Sequence, residues 1–168
     1  SLSLGSYAKC LTQSHRKPFA LDEAILSKGK SASRKSSRLR MIQPVQRTQA
    51  AKVQRLLNFL QPGTYIRPHC HPLEQATESV CLLNGHLEVL IFNPQGSIHT
   101  RHHLTPTSPL IDIEPRVWHG MIVHEPDTVI FEVKKGPYNP ATDKEFASWS
   151  PEEDSPEVKE FLARLNKD

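Results

Sequence analysis

The chain has 168 residues, 37% of them hydrophobic, with a net charge of +3 and a mean hydropathy of −0.49. That is room for one domain with a core and exposed arms, and no apolar run approaches the roughly 20 residues a membrane-crossing helix needs. The opening SLSLGSYAKC lacks a basic start followed by an apolar core, so no secretory leader is expected. Three cysteines without CxxC spacing (Cys10, Cys70, Cys81) argue against a disulfide framework and a zinc ribbon, and a cytoplasmic location is the expectation. Charge is uneven: ten Lys or Arg and no acid lie between Ala24 and Leu73, whereas sixteen of eighteen acids lie from Glu74 onward. Such a basic segment is either an anion-attracting surface or a solvated arm. It lacks interleaved aromatics, so nucleic acid is not expected as a partner.

In chain order, residues 1–15 carry no expected element. FALDEAILSKGKS (19–31) predicts a short helix, with Leu21, Ala24, Ile25 and Lys28 at helical spacing. SASRKSSRLR then reads as a basic linker, in which Arg38 and Arg40 would share a face if extended. From about residue 53, short apolar runs recur at 56–60, 64–67, 80–83, 87–92, 98–104, 110–113, 120–123 and 128–133, broken by QPG, HPLEQ, NG, NPQG, TPTSP, EPR and EPD. Eight such runs with Pro, Gly and Asn turns predict an antiparallel all-β sandwich or barrel. A tail rich in proline and aromatics follows, with Tyr138, Phe146 and Trp149 expected to pack on the domain. SPEVKEFLARLNKD closes the chain as a helix: Ser155 can cap it, Pro156 suits its first turn, and Val158, Phe161, Leu162 and Leu165 form an apolar stripe. The expected organisation is an arm over 1–52, a barrel over 53–135 and a tail with helix over 136–168.

One stretch carries chemistry. GTYIRPHCHPLEQATESVCLLNG (63–85) places His69 and His71 two apart, so on a strand both imidazoles face one side. Pro68 and Pro72 bracket them, which suits an edge or strand end. A lone pair of this kind is more often a packed or surface pair than a ligand set. Glu78 at the next strand, and His119 at the start of a later one, turn the reading towards an ion. Three imidazoles and one carboxylate suit Fe(II), Mn, Ni, Co or Zn. Tyr65 and Arg67 share the histidines' parity and are expected at the barrel mouth, Arg67 as a fork for a carboxylate or phosphate. Glu132 and Lys134 either line the pocket or form a solvated face. His86, His99, His102, His103 and His124 are read as exposed hairpin and turn residues.

These residues resemble the cupin motifs. Gly63 is followed by five residues, then His69-Cys70-His71, and Glu78 is followed by six residues and Gly85. Glu114-Pro115-Arg116-Val117-Trp118-His119 resembles the second motif, centred on PxGxxH. The resemblance implies a cupin double-stranded β-helix (a jelly-roll-like barrel), with a short N-terminal and a C-terminal helix, and metal ligands at His69, His71, Glu78 and His119. The spacer from His71 to Glu78 holds six residues where three or four are usual, which leaves Glu74 as a rival ligand. The second motif lacks its proline and glycine at Glu114 and Arg116, and Val123 stands at its closing asparagine position. Over residues 33–150, QRLLNFLQPGTYIRPHCHP, EPRVWHG and FEVKKGPYNPATDKEFASW are similar to the WbuC-type cupin metalloproteins. That group is associated with bacterial O-antigen and other surface-polysaccharide clusters, and the resemblance also implies a homodimer.

Two function classes follow. One is a metalloenzyme acting on a small polar or anionic, sugar-like metabolite, by isomerase, epimerase or lyase chemistry, or as an oxygenase if the ion is Fe(II). The other is a non-catalytic protein that binds a small molecule through its metal. No catalytic acid or base stands out, so the catalytic residues are unassigned.

Overall fold

In the computed structural model, which describes residues 9–167, two five-stranded antiparallel sheets face each other. The strands in chain order are β1 (Arg40–Pro44), β2 (Val53–Leu60), β3 (Ile66–Cys70), β4 (Glu78–Asn84), β5 (Leu87–Phe92), β6 (Ile98–Leu104), β7 (Leu110–Ile113), β8 (His119–Val123), β9 (Thr128–Lys135) and β10 (Glu145–Phe146). One sheet runs β1-β2-β9-β4-β7 and the other β10-β3-β8-β5-β6. This is the cupin double-stranded β-helix, flanked by α1 (Glu23–Lys35) and α2 (Val158–Lys167). No described helix is long and apolar enough to cross a membrane.

Alternation along three strands divides the barrel interior into two ends. Towards one end lie Val80 and Leu82 of β4, Met121 and Val123 of β8 and Ile130 of β9, packed with Leu60, Leu87, Val89 and Leu104. Towards the other, the same faces carry Glu78, His119, and Glu132 with Lys134. The apolar end anchors the fold, and the polar end is where chemistry is possible.

A helix covers the outside of each sheet. The stripe of α2 packs on Tyr65, Leu90, Phe92 and Ile122, as its spacing predicts, and Ser155 Oγ accepts from the Glu157 amide. Helix α1 packs Ile25 and Leu26 on Leu57, Phe59 and Val129. It is capped by Asp22, whose Oδ1 accepts from the Ile25 amide at 2.9 Å. It also runs through residues expected to be linker: Ala32, Arg34 and Lys35 are good helix formers, Ser33 Oγ accepts from Gln61 at 2.9 Å, and Arg34 pairs with Asp127. Strand β1 likewise adds an edge from before residue 53. Residues 1–8 lie outside the described chain, but Leu11 is buried and its amide bonds Ile42 O at 2.7 Å, so the segment expected to be featureless is partly docked.

Candidate metal centre

His69 and His119 stand opposite each other in the β3–β8 ladder, and Glu78 opens β4 beside Lys134 of β9. The topology thus gathers residues from three strands and the turn after β3. His69, His71 and His119 each offer a ring nitrogen within 4.8 Å of the others, with ring centroids 4.4 to 5.6 Å apart. All are buried, His119 down to 1% exposure and Glu78 to 6%.

Each Nδ1 is held by a backbone carbonyl: Arg67 O for His69 at 2.8 Å, Asp143 O for His71 at 2.7 Å and Val117 O for His119 at 2.9 Å. A carbonyl only accepts, so Nδ1 carries the proton and Nε2 presents a bare lone pair. The Nε2 atoms of His71 and His119 are buried without a hydrogen-bond partner. His71 Nε2 lies 2.6 Å from Glu78 Oε2 outside hydrogen-bond geometry. Two acceptors that close repel unless a cation lies between them. Backbone-anchored imidazoles with inward lone pairs are how proteins orient metal ligands, and the N₃O donor set fits a divalent ion.

Electrostatics agree with that reading. Burial first, and then the charge of His119 on His69 and of His71 on His119, keep His69 and His119 below the ordinary histidine range, so both stay neutral and able to ligate. Burial alone would raise the Glu78 pKa, and it is positive charge at the His71, His119 and His69 positions that holds the carboxyl well below its usual range, charge that an ion would supply where the rings are neutral. Glu132, half-buried behind Glu78, shows the reverse: desolvation and then the Glu78 charge push its carboxyl up. The parity of Glu132 and Lys134 therefore resolves inward. Lys134 is paired with Asp143, whose backbone also holds His71.

Tyr65 and Arg67 do not face the triad as their parity predicts. The β3–β8 register shifts between Ile66 and His69. Such a bulge reverses which side the preceding residues take. Ile66 packs with the interior core, while Tyr65 joins the cluster under α2 and its hydroxyl bonds Pro151 O at 2.7 Å. Arg67 bonds Ser150 Oγ at 3.0 Å and lies over the Phe146 ring, committed to the tail. Lys134 Nζ lies 3.4 Å from His71, and the charge of Lys144, exposed beside β10, also acts on His69, His119 and Glu132. Sequence reasoning missed Lys144 because only the folded tail brings it there. Glu74, the rival ligand, is exposed in the turn before β4, with Glu78 in its place at the histidines.

The second motif's missing glycine has a local explanation. Arg116 adopts φ 66°, the left-handed conformation that glycine favours, and its amide donates to His71 O at 2.9 Å. The turn that presents His119 therefore survives the substitution.

Fold and site define a cupin-type protein with a candidate metal centre. The chain belongs to the family described as a domain of unknown function, DUF6016, whose model matches residues 21–104. No curated protein matches it. Among solved structures it is similar to the capsular polysaccharide assembling protein CapF from Staphylococcus aureus, with 16% identity, a TM-score of 0.52, and coverage of 62% of this chain and 31% of that one. CapF with the inhibitor 3-isopropenyl-tropolone gives 16% identity, a TM-score of 0.53, and 62% and 30% coverage. An oxalate oxidase in complex with the substrate analogue glycolate gives 17%, 0.46, and 56% and 46%. The chain spans less than half the length of each, and identities this low speak to the fold alone.

Proposed function

We propose that this protein is a cupin metalloprotein in which His69, His71, His119 and Glu78 hold one divalent transition ion, and that it acts on a small anionic, sugar-type metabolite. The observation that carries the reading is the set of backbone-anchored imidazoles whose Nε2 lone pairs meet beside Glu78, two of them orphaned. The substrate class rests on the resemblance of residues 33–150 to WbuC-type proteins of surface-polysaccharide pathways, and the fold shared with CapF is compatible with it.

A divalent ion at this centre supplies Lewis-acid polarisation of a substrate oxygen. The chain's own residues supply the rest. Lys144 offers an ammonium at the mouth for a carboxylate or phosphate, the role expected of Arg67 from strand parity. Glu132 holds a proton on a carboxyl beside the ligands and can donate or recover it. Asn58, whose amide lies 3.4 Å from Glu132 Oε2, orients that carboxyl.

The test is thermal-shift screening of the metal-loaded protein against sugar phosphates, nucleotide sugars and simple carboxylates. The reading expects an anionic sugar to raise the melting temperature, K144Q to weaken that ligand, and E132Q to keep binding while abolishing turnover. Binding without turnover in the wild type would make it the non-catalytic binding protein instead. Absence of any ligand-dependent shift across the panel would contradict the substrate class.

A further inference from the structure

The outer face of the second sheet carries a histidine cluster that the centre above does not use. On β5, Leu87 and Val89 point into the barrel, whereas Glu88 shares the outward face with Leu90 and Phe92 beneath α2. Glu88 is only 5% exposed. Its neighbour across the ladder is His103 of β6. His86 immediately precedes β5 and His124 follows β8, and the His124 amide donates to His86 O at 3.0 Å. Three imidazoles from separate segments thus close over one buried carboxylate.

We propose that His86, His103, His124 and Glu88 form a second metal site, which takes a borderline divalent ion such as Zn(II) or Co(II). One ring nitrogen from each histidine lies within 4.8 Å of the others. Glu88 Oε2 is 2.6 Å from His124 Nε2, and Oε1 is 3.2 Å from His103 Nε2. His86 Nε2 and His103 Nδ1 are 2.9 Å apart, a separation that needs one shared proton. An ion takes the place of that proton, which moves to the other nitrogen of the same ring and leaves a lone pair on each side. The side chains of His103 and His124 are 53% and 34% exposed, so the rings can turn inward by small rotations and an ion can enter from water. Arg101 occupies only Oε1, at 3.3 Å, and its other nitrogen is held by Leu165 O at the end of α2. Glu88 Oε2 is therefore left to the histidine side.

The site is independent of the interior centre. His119 stands opposite Ile91, and Val123 opposite Leu87. Four residues of β8, about 13 Å, separate the two levels, and the clusters lie on opposite faces of the sheet. An ion here would tie the turn before β5, strand β6 and the exit of β8 into one unit, and would stabilise the folded chain by mass action. From the sequence these histidines read as unrelated turn residues, since nothing in their spacing (86, 103, 124) reports the ladder that gathers them.

The test is a Co(II) titration of untagged protein at neutral pH, followed by ligand-field absorption, on wild type, H86A/H124A and H71A/H119A. Wild type should bind two equivalents, and each double variant should lose a different one. H86A/H124A should weaken its equivalent by more than about 100-fold, beyond the loss caused by outer ligand partners alone, and should lose the metal-dependent rise in melting temperature assigned to this site. Wild-type stoichiometry and spectrum in H86A/H124A would overturn the proposal, as would a wild type that binds one equivalent lost in H71A/H119A. If H71A/H119A keeps both equivalents, the interior reading fails while this site stands.

Discussion

At the residue scale, the 2.6 Å approach of His71 Nε2 to Glu78 Oε2 sets opposite expectations for the metal-free and metal-loaded protein. Glu78→Gln replaces one of two facing acceptors with an amide that can donate to the imidazole. It should raise the melting temperature of the metal-free protein and lower metal affinity by more than about 100-fold, read by paired thermal melts and metal titration. A variant that lost stability without metal would argue that the pair is an ordinary charged hydrogen bond. The histidines set the pH dependence. Because His69 and His119 titrate below the ordinary value of 6.5 when folded, their contribution is fully present above 6.5, and it is lost as pH falls because the unfolded chain takes up protons first. The metal-free protein should therefore melt lower as pH drops below about 6.5, and His119→Gln should flatten that slope. The HxH pair, its glutamate and the distant histidine were legible because their chemistry is carried by residue type and strand parity. Glu132 was only half-legible: parity allowed it an inward face, but the neighbouring carboxylate that keeps it protonated belongs to another strand.

At the scale of elements, strand alternation located most of the barrel and failed at two kinds of place. One is the bulge between Ile66 and His69, where a register shift reverses the side taken by Tyr65 and Arg67. A proline can mark such an irregularity, but which way the ladder slips is decided by β8. The other is where tertiary contacts choose between linker and helix, as in residues 31–35. Helix α1 is held there by its approach to the first sheet at Gly29, where a Cβ would lie 2.3 Å from the Phe59 ring. Gly29→Ala gains helix propensity yet should destabilise the protein by about 1–3 kcal/mol through overpacking. Combining it with Phe59→Leu should recover part of the loss in denaturant melts, whereas strictly additive costs would contradict the contact. Arg116 teaches the converse: a motif position without its glycine still forms the turn, because the amide bond to His71 O holds the backbone there.

At the scale of the molecule, both ends of the chain serve the barrel. The basic segment that suggested an anion surface is answered from within at three of its ten cations: Arg34 pairs with Asp127, and Arg38 and Arg40 both reach Glu153 of the tail. That tail in turn brings Asp143 O to His71 and Phe146 beside His69, and it carries Lys144, whose charge acts on His69. None of this was legible locally, because acids and bases 93 to 115 residues apart become neighbours only once the sheets close. The architecture thus spends its connections on holding three imidazoles and one carboxylate in register. The direct measurement is the metal content of protein lacking the outer histidines, H86A/H124A, after Co(II) loading and exhaustive dialysis, with and without His71→Ala and His119→Ala. One tightly held equivalent that disappears when His71 and His119 are removed is the predicted result; a full equivalent retained without them would contradict the account.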